Sequence, residues 1–328
     1  MRRHRTTARG ALFLLILGAL GAGAASASTR HADPPAKRHA AGAIVFPIVG
    51  ASEYGDNYGD ARANGAHAGI DIMTTWRSAA VAAESGTIKF WTTSARAGCM
   101  LYLYGTGGTT YLYIHLNNDL TPRRDNRGSC VPGVAYADGL KDGARVQAGQ
   151  LIAYNGDSGD AEGTYHLHFE VHPDDGADVS PFPFLNAATR LLFPAPAKPG
   201  RKLVLGLRGT PISAGGGVLE VSVTAVRVWP GVRWTSIAPR LLELTVPDLA
   251  DIDPKVAAQI LSPTRRALAS RKGLALTVFT APVAATQEVM RGDAGALVVD
   301  RVRLLSGEAR LAPTGSGGDE ARAAPTGR

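Results

Sequence analysis

The sequence predicts a mainly β protein built from two consecutive blocks. Residues 44–193 hold short strand-like runs separated by Gly, Asn and Asp: Thr87–Phe90, Cys99–Tyr104, Thr110–His115, Leu151–Tyr154 and His166–Val171, with no convincing long helix among them. Residues 201–312 show apolar–polar alternation of period two at Leu203/Leu205/Leu207, Leu219/Val221/Val223 and Leu274/Leu276/Val278. Between the blocks lies PAPAKPG, residues 194–200, a semi-rigid stretch that marks a boundary.

From the N-terminus the segments justify themselves in turn. Residues 1–27 begin with Arg2, Arg3, Arg5 and Arg9, continue with an apolar run from Ala11 to Ala25 and end in Ala25-Ser26-Ala27. A basic start, a short apolar stretch and a small-residue exit are the features of a secretory signal peptide. The alternative is an uncleaved anchor, but the strongly apolar part ends near Leu20, short of the roughly 20 residues a span needs. Residues 28–43 are polar and rich in Pro and Ala, a flexible leader. The first β block (44–193) and the linker (194–200) follow. In the second block, Asp253-Pro254 before KVAAQIL starts like a helix, so a small barrel or sandwich with one helical insertion is expected. Residues 313–328 read as a disordered tail.

Composition narrows the functional classes. The 328 residues are 45% hydrophobic and 19% charged, which suits one large or two modest folded domains and excludes a disordered chain. Only one segment is strongly apolar, so no multispan membrane protein and no stable span after signal cleavage is expected. The formal charge of +7 falls to +3 once the four arginines of the signal are removed, a poor basis for nucleic-acid binding. Cys99 and Cys130 are an even pair in an exported chain, and a single disulfide is the reading. The alternative, free or metal-binding thiols, meets a spacing that fits no zinc-knuckle pattern.

The eight histidines are concentrated. His4 lies in the signal, His31 and His39 in the leader, and His67, His115, His166, His168 and His172 in the first block; the second block has none. In HAGIDI (67–72), Gly69 and the β-branched Ile70 and Ile72 oppose a helix, so His67 and Asp71 flank a turn entering a strand and can converge on one ion. In HLHFEV (166–171), period two puts His166, His168 and Glu170 on one face and Leu167, Phe169 and Val171 on the core face. In TYLYIHL (110–116), His115 is expected to share a face with Tyr111 and Tyr113, candidates for a substrate groove. A solvated polar strand face is the alternative for each motif alone. Together they supply the imidazoles and carboxylate of an open catalytic zinc site.

In these motifs the chain resembles the lysostaphin/LytM-type zinc metalloendopeptidases, which cut peptide crosslinks in peptidoglycan. The resemblance spans about 46–185 and includes His67–Ile88, Tyr111–Leu116, Asp142–Gly159, Tyr165–Val171 and Val179–Leu185. It implies a compact antiparallel β-sheet domain with a groove over one Zn2+. It implies His67, Asp71 and His168 as metal ligands, and His115 and His166 as catalytic residues that assist a zinc-activated water. An exported, periplasmic or cell-wall-associated enzyme acting on peptidoglycan peptide is the corresponding function. Two alternatives stand beside it: a non-catalytic peptidoglycan-binding or hydrolase-activating member, and a secreted protease acting on ordinary proteins. His172 matches no family position and is read as a surface residue. Residues 117–141 form a long insertion containing Cys130, and Trp76-Arg77 replaces the Pro/Gly-rich turn common after the first motif. The second block has no recognised family, and the sequence sets no oligomeric state.

Overall fold

The computed structural model describes residues 43–63, 65–91, 94–196, 201–247 and 275–304. The signal, the leader up to residue 42, residues 197–200 of the linker, the helix expected after Asp253 and the tail 313–328 lie outside the described residues. The first block contains β1 (Ile48–Val49), β2 (Ala61–Arg62), β3 (Gly65–Ala66), β4 (Ile70–Met73), β5 (Ala79–Val81), β6 (Gly86–Trp91), β7 (Cys99–Gly105), β8 (Thr109–Leu116), β9 (Arg145–Val146), β10 (Leu151–Tyr154) and β11 (His166–Pro173). The antiparallel order β4-β11-β8-β7-β6-β9 makes one sheet and β1-β5-β10 a second, while β2 and β3 form a hairpin. A short helix, α1 (Phe182–Ala187), follows.

The faces of the large sheet follow from side-chain alternation. Register pairs Leu167 with Ile72, Phe169 with Ile70 and Tyr113, and Val171 with Tyr111; all lie in one buried apolar cluster. Tyr111 and Tyr113 are therefore core residues and line no groove, because they share the inward face with Phe169. The Tyr113 hydroxyl donates to Val81 O (2.9 Å) and accepts from Ala83 N (2.8 Å), and the Tyr111 hydroxyl donates to Glu84 (3.1 Å).

His115 also departs from expectation. Leu101 pairs with Tyr113 and Cys99 with Leu116, so Met100 stands opposite two residues, Ile114 and His115. This is a β-bulge. His115 takes a φ of 62°, left-handed backbone that a side chain other than glycine seldom adopts. The extra residue breaks the alternation and turns the imidazole away from the tyrosine face.

The second block comprises β12 (Lys202–Gly215), β13 (Val218–Trp229), β14 (Thr235–Thr245), β15 (Leu276–Thr280), β16 (Val283–Ala284) and β17 (Val299–Leu304), with a helix α2 (Gln287–Arg291). Its antiparallel order is β14-β13-β12-β15-β17, with β16 paired to β12. The sheet curls until its outer strands meet at one end, where Thr245 N donates to Leu297 O (2.9 Å). This agrees with the barrel half of the expectation. The two blocks share one apolar cluster, in which Val45, Val49, Val81 and Leu191–Phe193 pack with Leu203, Leu205, Leu207, Val221 and Met290. Backbone bonds from Ala51 N to Ser236 O (2.7 Å) and from Leu192 N to Met290 O (2.7 Å) cross the same junction. No helix among the described residues is long and apolar enough to cross a membrane.

Candidate metal centre

The pairing of β4 with β11 sets His168 directly across from Asp71, on the face opposite the core. Gly69 permits this approach: a Cβ there would meet Phe169 O at 2.6 Å and His168 Nε2 at 2.8 Å. His67 sits just before β4, where its backbone N–H bonds Asp60 O (2.9 Å) and its carbonyl accepts from Gly59 N (2.8 Å). Strand pairing and this turn bring together the three ligands expected from the sequence.

Three donor atoms form a nearly equilateral triangle. His67 Nε2 lies 3.0 Å from Asp71 Oδ1 and 2.9 Å from His168 Nδ1, and His168 Nδ1 lies 3.0 Å from Asp71 Oδ1. Donors at tetrahedral positions around zinc, with bonds of about 2.0–2.1 Å, stand about 3.3–3.4 Å apart. The triangle is within a few tenths of an ångström of that spacing.

The outer partners decide which ring nitrogens are free. His67 Nδ1 donates to Asn57 O (2.7 Å), leaving the Nε2 lone pair for an ion. His168 Nε2 donates to Glu170 Oε1 (2.9 Å), leaving Nδ1. The second Asp71 oxygen accepts from Arg62 Nη2 (2.8 Å) and Asn57 Nδ2 (3.4 Å), so Oδ1 is presented alone. Two imidazole lone pairs and a carboxylate oxygen thus face one point, a donor set suited to a borderline divalent cation. Burial works against ionisation of Asp71, but the hydrogen bond from His168 and the charges of His166 and His67 outweigh it and hold the carboxyl well below its usual range. Burial likewise opposes charge on His168, yet Asp71 and Glu170 push it up to about 9 in the metal-free protein.

His115 and His166 flank this triangle. Their rings lie 4.9 Å apart, and the His115 ring lies 6.0 Å from that of His168. His115 Nδ1 donates to Ser158 O (2.9 Å) and His166 Nδ1 donates to Thr164 O (2.9 Å), so each keeps Nε2 as its free nitrogen. His166 Nε2 is 3.7 Å from Asp71 Oδ1. Burial first, and the neighbouring His166 second, lower His115 to about 4, which keeps it a neutral acceptor at physiological pH.

Sequence reasoning missed four contributors. Period two puts Glu170 on the right face but assigns it no role. His172, read as a surface residue, is largely covered and donates Nε2–H to Glu170 Oε2 (2.7 Å), because period two puts it beside Glu170 on β11. Arg62 and Asn57 arrive through the β2–β3 hairpin and the loop before it, and no local pattern announces them. The insertion is fastened by the Cys99–Cys130 disulfide and by Arg77, which donates to Gly133 O (3.0 Å) and Val134 O (3.2 Å). Arg77 therefore holds the insertion to the body of the domain.

No protein-family model and no curated protein matches the chain. Solved structures do. The chain is similar to the catalytic domain of lysostaphin from Staphylococcus simulans, at 25% identity over 41% of this chain and 92% of that one, with a TM-score of 0.32. It is similar to full lysostaphin from the same organism at 18% identity over 62% of this chain and 82% of that one, TM-score 0.36. A zinc-containing peptidase from Vibrio cholerae matches at 22% identity over 42% of this chain and 39% of that one, TM-score 0.30.

Proposed function

We propose that the chain is an exported zinc metalloendopeptidase that hydrolyses peptide bonds in peptidoglycan crosslinks. The observation that carries this reading is the triangle of His67 Nε2, Asp71 Oδ1 and His168 Nδ1, each donor fixed by a hydrogen-bond partner on its far side. The motifs shared with lysostaphin/LytM-type peptidases support the substrate class. Bound zinc supplies Lewis acidity toward water and the scissile carbonyl. The protein's own residues do the rest. Asn57 and Glu170 lock the two ligand imidazoles in the tautomers that leave the inward nitrogens free. Arg62 occupies the outer oxygen of Asp71. His115 and His166, each tethered through Nδ1, hold Nε2 beside the centre, where the neutral His115 imidazole accepts a proton from an attacking water and returns it to the leaving amine. One such centre is found among the described residues.

The intact donor triangle favours this over a non-catalytic wall binder. The test pairs metal analysis of the purified protein with digestion of isolated sacculi, using His168→Ala as control. The expected result is about one zinc per chain and released peptides, both lost in the variant. Stoichiometric zinc without released peptide from sacculi, together with cleavage of unrelated proteins, would instead support a general secreted protease.

A further inference from the structure

The outer face of the second sheet carries an array of arginines laid over aromatic rings. Cross-strand register aligns Arg227, Gly206, Phe279 and Arg301 in one row over β13, β12, β15 and β17. The adjacent row brings Arg208 on β12 and Arg303 on β17. Gly206 is required here: a Cβ would meet the Trp234 ring at 2.9 Å. Trp234 thus lies against the sheet, with the Arg208 guanidinium 3.9 Å and that of Arg227 4.9 Å over its ring. Arg301 lies 4.9 Å over the ring of Phe279, with Arg227 and Arg303 each at 5.9 Å. Arg208, Arg301 and Arg303 are exposed, and none of the four arginines has an ion-pair partner among the described residues.

A guanidinium stacked on an aromatic ring is held flat and keeps its N–H edge for an anion. Four such groups without ion-pair partners repel one another, and a polyanion relieves that repulsion. At about 4.8 Å between strands the row from Arg227 to Arg301 is about 14 Å wide. That is too wide for a single phosphate and suited to a chain with repeated charges. The Trp234 and Phe279 rings are capped by arginines, and the exposed Trp229 beside them, with Arg227 5.9 Å over its ring, offers a single stacking surface rather than the succession of rings that single-strand binding platforms use. We propose that this face docks a phosphodiester-linked anionic polymer of the cell envelope, read through its phosphates, and so holds the chain at the wall. The inference does not depend on zinc or on catalysis.

The test uses the full chain carrying His168→Ala, so that the wall is not digested. It is sedimented at physiological ionic strength with sacculi that carry a phosphodiester polymer and with the same sacculi after hydrofluoric acid has stripped the polymer. Binding to the first is expected to be at least tenfold tighter. The combined substitution R208Q/R227Q/R301Q/R303Q is expected to abolish that difference while leaving Tm unchanged. Should that variant not fold, the exposed pair Arg301→Gln/Arg303→Gln is expected to weaken binding at least threefold. Equal binding to both sacculi, undiminished binding by a folded variant, or tighter binding to single-stranded DNA at the same salt overturns the proposal. If the unsubstituted chain holds no zinc while the His168→Ala chain binds the polymer as expected, only the peptidase reading fails.

Discussion

Glu170 lies partly buried between two imidazoles, donating to neither and accepting from both. Burial would raise its pKa, but His168 and His172 hold it down to about 2. Glu170→Gln replaces an acceptor-only group by one with competing donors and loosens the His168 tautomer. Zinc affinity is expected to fall about 10–100-fold, measured by competition with a chromogenic chelator, with the fold intact. Gly69→Ala is expected to do the opposite kind of damage. The new methyl forces β4 from β11, costing about 1–3 kcal/mol in urea unfolding. Here the sequence was informative, because period two alone places His166, His168 and Glu170 together and Gly69 argues for a strand entry. It was silent on Arg62 and Asn57, since nothing local tells which hairpin tip will fold over Asp71.

At the scale of elements, β8 shows where pattern reading ends. Strict alternation would send His115 to the core beside Tyr113; one bulged residue reverses it, and a bulge has no compositional mark. The same strand supports an alkaline prediction. Burial raises Tyr111 and Tyr113, and pushes Tyr136 up to about 12. Unfolded phenols ionise near pH 10. Above that pH the unfolded chain loses protons the folded one retains, so stability falls as pH rises. Tyrosinate absorbance from these residues should therefore appear together with loss of circular dichroism; gradual ionisation of all tyrosines in a folded protein would contradict it. The disulfide is the second device at this scale. It closes a loop of 31 residues between the start of β7 and the insertion. Reduction is expected to remove roughly 3–4 kcal/mol of stability in the loop-entropy account. Under conditions where the reduced protein remains folded, KM should change more than zinc content; an equal loss of both would make the bridge a staple only.

For the whole molecule, the proline-rich stretch 194–200 reads as a boundary between two β blocks, and the chain is mainly β on both sides of it. What could not be read is that Val45, Val49 and Val81 from the first block complete the core of the second. Contacts between residues so distant in sequence leave no periodic trace in either segment. Deleting residues 201–328 would bare this apolar surface, and the remaining domain is expected to unfold at lower urea and to aggregate. The full chain should melt in one transition by calorimetry and circular dichroism alike. This junction also governs how an anchored enzyme would work. A hydrolase on a loose tether sweeps every bond within reach of its linker. One whose anchoring block and catalytic block are joined by packed side chains behaves as a bracket. It meets the wall at a set distance and angle, cuts only the bonds that lie at that offset, and must let go before it can work elsewhere.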